Sequence, residues 1–199
     1  REAMPDPIAF KQKRFLYADS SFLPMMGYEM VKGNASSALK DPFTCVVSEK
    51  YARLYFPNQE PVGKTLLLQD DDFNYELVKV TGVFKDLPQN THMKFDVLFS
   101  YQTLYTRYEQ APARYFTGWR RKDMYVFIKL RPDADPAKVE ARFPGIVKKY
   151  RPELAQSQQR DVISLQPLAD IHLKSDLAEE VEPNGNERIV FFMGLIGIF

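Results

Sequence analysis

Apolar residues recur along the chain in two rhythms. Runs with a period of two, or with no polar break, predict strands at Tyr28-Glu29-Met30-Val31 (ending at Gly33), Thr44 to Ser48, Thr65 to Leu68 and Tyr75 to Phe84. Further runs lie at Phe95 to Phe99, Met124 to Leu130 and Ile163 to Leu168, and Met124-Tyr125-Val126-Phe127-Ile128-Lys129-Leu130 is the strongest strand pattern of all. Helical spacing takes over elsewhere. Ser48 stands where a cap belongs for a helix through Lys50 to Phe56, stopped by Pro57-Asn58. Tyr101, Leu104, Tyr105 and Tyr108 mark a second helix over 101–115. Asp135-Pro136 opens a third that runs to Tyr150, with Ala137, Val139, Phe143 and Val147 as its apolar stripe and Pro144-Gly145 as a kink. Residues 174–188, with Glu179, Glu180, Glu182 and Pro183-Asn184-Gly185-Asn186, read as a solvated connection. Hairpins and helices without a regular βαβ series predict an α+β fold.

The connection leads into Ile189-Val190-Phe191-Phe192-Met193-Gly194-Leu195-Ile196-Gly197-Ile198-Phe199, which carries no polar side chain. A membrane span takes about 20 such residues, so this run is too short to cross a bilayer. It reads either as a final element docked in a core or as the opening of a transmembrane helix, and a soluble domain rarely ends on such a run.

Composition narrows the function classes. With 45% apolar and 14% aromatic residues in 199, the chain can bury a real core. Lys and Arg number 27 against 26 acidic residues, which gives no basic field to gather nucleic acid. Cys45 is the single cysteine, so no internal disulfide forms, and its place in Phe43-Thr44-Cys45-Val46-Val47 suits packing better than thiolate chemistry.

The search for chemistry assigns no catalytic residue, no cofactor ligand and no metal ligand. His92 and His172 are the two histidines, and neither has a second histidine or a cysteine at metal-ligand spacing. No GxSxG elbow and no HExxH or CxxC pair occurs. Gly63-Lys64-Thr65 resembles the end of a phosphate loop, but Asn58 stands where its first glycine belongs and a strand pattern follows, so the triplet reads as a turn. Asp70-Asp71-Asp72 lacks the alternating ligands and central glycine of a calcium loop and reads as a hairpin turn. Pairs such as Asp133/Asp135 have no histidine or pocket to make them an acid/base couple. Trp119, beside Arg120, Arg121 and Lys122, reads as a strand-edge aromatic with solvated cations.

A series of phrases resembles the periplasmic domain of MacB/FtsX-like ABC-transporter permeases of the Bacteroidetes type. They are Ala18-Asp19-Ser20-Ser21-Phe22 through Gly27 to Gly33, Val46-Val47-Ser48-Glu49 with Ala52 and Leu54-Tyr55-Phe56, and Glu60-Pro61-Val62-Gly63-Lys64. Val80-Thr81-Gly82-Val83-Phe84-Lys85-Asp86-Leu87-Pro88-Gln89-Asn90-Thr91-His92 follows, then Leu165-Gln166-Pro167-Leu168 with Ile171-His172-Leu173. The resemblance implies a two-lobed α+β periplasmic domain, 1–188, with mixed or antiparallel sheets and flanking helices. A porter-like lobe takes 1–40 and 92–188, a sabre-like lobe 41–91 is inserted in it, and 189–199 opens the second transmembrane helix. It further implies an inner-membrane protein whose domain faces the periplasm, a second permease copy, and a cytoplasmic ATPase subunit or domain. A periplasmic adaptor and an outer-membrane channel serve some relatives. The implied role is to transmit ATP-driven conformational change to periplasmic substrates or partners, in export or efflux, lipoprotein release or control of cell-wall hydrolases. No enzyme activity and no cofactor is implied.

A membrane-tethered ligand-binding or sensor domain is the competing expectation, with Tyr101, Tyr105, Tyr108, Tyr115, Phe116 and Trp119 as the lining of its pocket. A hydrolase with dispersed residues is the third, and it predicts turnover that depends on His92 or His172.

Overall fold

The structure, a computed structural model, describes residues 14–69, 75–109, 124–175, 177, 180, 182–185 and 187–196. Contacts divide the chain into two compact units, Arg1–Glu109 and Gln110–Phe199.

The first unit is built on a six-stranded mixed sheet. Its strands are β1 (Phe15–Ala18), β2 (Met30–Lys32), β3 (Thr44–Ser48), β4 (Thr65–Gln69), β5 (Tyr75–Phe84) and β6 (Val97–Ser100), in the order β1-β6-β3-β5-β2, with β4 also on β5. β3 lies parallel to β5 and antiparallel to β6, and all five of its residues are buried. A strand covered on both faces needs an unbroken apolar run, which Cys45, Val46 and Val47 supply between the buried hydroxyls of Thr44 and Ser48. Cys45 and Val47 join Val80, Val97, Phe99 and Ala52 in one core cluster. Val46 alternates to the other face, where Gly82 comes close to its side chain.

Three helices belong to this unit: α1 (Phe22–Met26), α2 (Glu49–Tyr55) and α3 (Gln102–Arg107). α2 follows β3 directly because Ser48 has extended backbone and its hydroxyl accepts the Tyr51 N–H at 3.4 Å, as the sequence predicts. α3 starts where expected and ends at Arg107. A second aromatic cluster joins Phe22, Tyr28, Phe84 and Phe95 by ring contacts of 5.2–6.1 Å. Segment 41–91 supplies β3, β4 and β5 of this sheet, and its flanks supply β1, β2 and β6.

The second unit carries α4 (Pro136–Glu140), α5 (Phe143–Tyr150), a 3-10 turn at Pro152–Gln156, another at Leu168–Asp170, α6 (Ile171–Lys174) and α7 (Glu187–Ile196). Asp135 caps α4 by accepting the Ala137 N–H at 3.0 Å. The expected kinked helix is two helices, because Pro144 has no N–H to offer the Glu140 carbonyl and its ring would strike that carbonyl. Two strand expectations are corrected. Met124 to Leu130 and Ile163 to Leu168 join no ladder among the described residues, and Val126 is 80% exposed. Strand propensity measures fit to a half-buried pleated surface, and among the described residues no such surface receives these segments.

Candidate functional site

The N-terminal part of α2 gathers the charged groups Glu49, Arg53 and Asp86. Its second N–H, on Lys50, points at the Asp86 carboxylate 2.8 Å away, and its third is taken by Ser48. Asp86 also pairs with the Arg53 guanidinium at 3.0 Å, and Arg53 in turn lies 3.9 Å from Glu49, one helical turn back. The Asp86 N–H returns to Glu49 at 3.4 Å. A carboxylate at a helix N-terminus meets both unfilled donors and the positive end of the dipole. β5 and the loop after it thus hold α2 by a closed polar circuit.

An open cleft of about 370 Å³ runs beside this circuit. Val31, Ala52 and Val83 line its apolar part, and Lys32, Glu49 and Arg53 give it charge. Lys32 is paired with Glu60, whose other oxygen accepts the Val62 N–H at 3.3 Å. The hydrogen bond from Lys32, and then that from Val62, hold the Glu60 carboxyl below the usual carboxylate range. Every cation on the cleft already faces a carboxylate, so the cleft carries an apolar floor and a neutralised edge. Such an arrangement suits contact with a polypeptide surface and offers no activated nucleophile or base.

The phrase Val80 to Pro88 earns its residues one by one. The β3–β5 register shifts so that Cys45 faces Val80 and Val46 faces Gly82, which leaves Thr81 as an extra residue. The Thr81 hydroxyl lies 2.6 Å from the Ala38 carbonyl and 2.9 Å from that of Cys45, and its single proton serves the two. Gly82 leaves room for its neighbours: a Cβ there would lie 2.5 Å from the Met30 methyl and 3.0 Å from the Lys32 carbonyl oxygen. Asp86 then caps α2. Sequence reading assigned no role to Asp86, Arg53, Lys32 or Glu60, since Asp86 and Lys50 are 36 residues apart and no local pattern links them.

Other residues singled out from sequence find ordinary places. Cys45 is fully buried, and burial pushes its thiol up to about 12. Gly63 sits in a turn with φ of +91°, and Thr65 opens β4, so the triplet is the end of a turn leading into a strand. His92 is half-buried in the loop after β5, while His172 is exposed on α6 in the second unit. Tyr101 and Tyr105 meet edge to face at 5.4 Å. Asp70, Asp71, Asp72, Tyr115, Phe116, Trp119 and Glu179 lie outside the described residues. Among the described residues no three acidic, histidine or cysteine groups converge to hold a metal. One further circuit braces the sheet: Arg107 of α3 pairs with Glu76 of β5 and donates to the Tyr17 hydroxyl of β1 at 3.1 Å. Burial dominates at Tyr17 and raises its phenol.

The fold is similar to that of a solved structure. A domain of a protein assigned as a permease, from Porphyromonas gingivalis, superposes with a TM-score of 0.58 at 24% identity, covering 84% of this chain and 74% of that one. The periplasmic region of MacB from Actinobacillus actinomycetemcomitans gives 0.41 at 15% identity over 72% and 64% of the two chains. No curated protein matches the chain. The family described as MacB-like periplasmic core domain matches residues 8–146, which is most of the chain. On that match this chain belongs to the MacB-like periplasmic core domains, and it is the periplasmic domain of an ABC-transporter permease.

Proposed function

We propose that this domain passes ATP-driven movement of its transporter to a substrate or partner in the periplasm, and that it does so without catalysing a reaction itself. In this reading residues 189–199 open a membrane helix, and the domain faces the periplasm from the inner membrane. Its partners are a second permease copy, a cytoplasmic ATPase and, in some settings, an adaptor with an outer-membrane channel. The division into a porter-like lobe, 1–40 and 92–188, and a sabre-like lobe, 41–91, belongs to the same proposal.

The observation that carries it is α7. Ile189, Val190, Phe191, Phe192, Met193 and Ile196 are each more than half exposed. After Glu187 and Arg188 at its start, they follow one another around the helix, so past those two residues the described side chains give it no polar face. A helix apolar all round belongs in a core or in lipid. No described helix is long and apolar enough to cross a membrane by itself. A rigid body joined to such a helix moves when the helix moves. The braced sheet of the first unit, with ion pairs joining α2 and α3 to β5 and its following loop, supports the rigid-body half of the reading.

The test is made on the full permease with its ATPase in lipid discs. Spin labels on α2 of the two permease copies should change their separation between nucleotide-free and ATP-trapped states. Unchanged distances with normal ATP turnover would sink the transmission reading.

A further inference from the structure

Among the described residues β4 is an unguarded sheet edge. It pairs with β5 from Thr65 opposite Lys79 to Gln69 opposite Tyr75, and no other described strand joins it. Alternate residues of such a strand turn their N–H and C=O groups to the open side. Natural edges are blunted by charge, proline or a bulge. Thr65-Leu66-Leu67-Leu68-Gln69 has no charge and no proline, and its register runs without a shift.

The two faces of this ribbon differ sharply. Leu66 and Leu68 pack on the core cluster that includes Val78, so the ribbon is held in place. On the outer face Leu67 is 60% exposed, and Leu77, directly opposite, and Tyr75 are both 65% exposed. Lys79 stands on that same face, opposite Thr65, and Lys64 directly precedes the strand. Neither lysine has an ion-pair partner among the described residues, whereas Lys32, Arg53, Lys85 and Arg107 of the same unit all do. A five-residue edge is about 17 Å long. A ribbon two strands wide therefore falls far short of the roughly 800 Å² per partner that a stable association of two folded surfaces buries. That size fits one extended peptide, which gains main-chain hydrogen bonds as well as side-chain contact.

We propose that β4 accepts an extended segment of another protein as an added strand, apolar at alternate positions and acidic at the end that lies beside Lys64 and Lys79. This surface stands whether or not the domain transmits ATP-driven movement.

The probe is a blocked peptide of alternating valine and threonine with two glutamates at one end, titrated into the whole chain. Binding should saturate and slow hydrogen exchange at β4 amides. The same peptide with two lysines should bind about tenfold more weakly, as should the glutamate peptide to the double variant Leu67→Ser/Leu77→Ser. Lys79→Glu should reverse the peptide preference. All three positions are exposed, so an unchanged thermal midpoint verifies that each variant folds. Absence of binding overturns the proposal, as does equal affinity for the two peptides. A dimer in sedimentation that the serine pair dissociates also overturns it, by making a second copy the occupant. Anionic phosphatidylglycerol vesicles that bind through Lys79 while the peptide does not would do the same in favour of lipid.

Discussion

Asp86, in the loop after β5, takes the backbone N–H of Lys50 at 2.8 Å and so caps a helix 36 residues earlier in the chain. The same carboxylate pairs with Arg53 on the next turn of that helix. The cap is tertiary, and α2 therefore forms at full strength only when β5 is in place. Asp86→Ala should cost about 1–2 kcal/mol, the sum of a lost cap and a half-exposed ion pair. Asp86→Asn keeps an acceptor for Lys50 and should cost about half as much. Urea unfolding of the variants checks both, and the Asn variant should also show weaker dependence on salt.

Glycine is required at two positions for different reasons, and their ranking can be measured. At Gly33 the backbone is left-handed, with φ of +81°, and a Cβ would lie 2.4 Å from the Thr81 carbonyl oxygen. Gly33→Ala should therefore cost about 3 kcal/mol or more. At Gly82 the clash is with the flexible end of Met30, so Gly82→Ala should cost less, about 1–2 kcal/mol. Thermal unfolding that reversed this order would contradict the packing described for β2 against β5.

Cys45 should be inert in the folded protein. It is fully buried and its thiol is pushed up to about 12 by desolvation. An aromatic disulfide reagent at pH 8 should leave it untouched and should titrate one thiol in denaturant. Fast reaction in native buffer would mean that the β3 core opens readily.

Asp96, immediately before β6, predicts a pH response. Burial raises its carboxyl above the usual aspartate value, against the lowering pull of Lys50 and then Arg14. The folded chain then holds this proton more tightly than the unfolded one. Its contribution is fully present below the unfolded value of about 3.9, and it is lost as pH rises through the raised folded value. At neutral pH the buried charge is a cost. Asp96→Asn should raise the thermal midpoint at pH 7 and leave it unchanged near pH 3.

The exposed apolar helix makes the last prediction. Removing residues 189–199 should leave cooperative unfolding of the sheet intact and increase solubility, because Ile189, Val190, Phe191, Phe192, Met193 and Ile196 are exposed already. Loss of the unfolding transition on that deletion would assign the helix to a core and undo the membrane reading.

Much of the first unit is determined by sequence alone. β3, α2 and the β4–β5 hairpin follow from apolar runs, the Ser48 cap and the turn at Gly63, because each is set by neighbours only a few residues away. The α+β class and the lack of a local catalytic motif are legible in the same way. Tertiary structure alone decides the rest. It places β3 between β5 and β6, pairs β2 and β6 with strands from the segment between them, and brings Asp86 to α2. Among the described residues it also gives Met124 to Leu130 no ladder, for all their β-branched and aromatic side chains. The physical reason is one of range. Propensity, capping and turn chemistry act over a few residues, whereas strand partners and carboxylate contacts are fixed by burial between segments 30 or more residues apart.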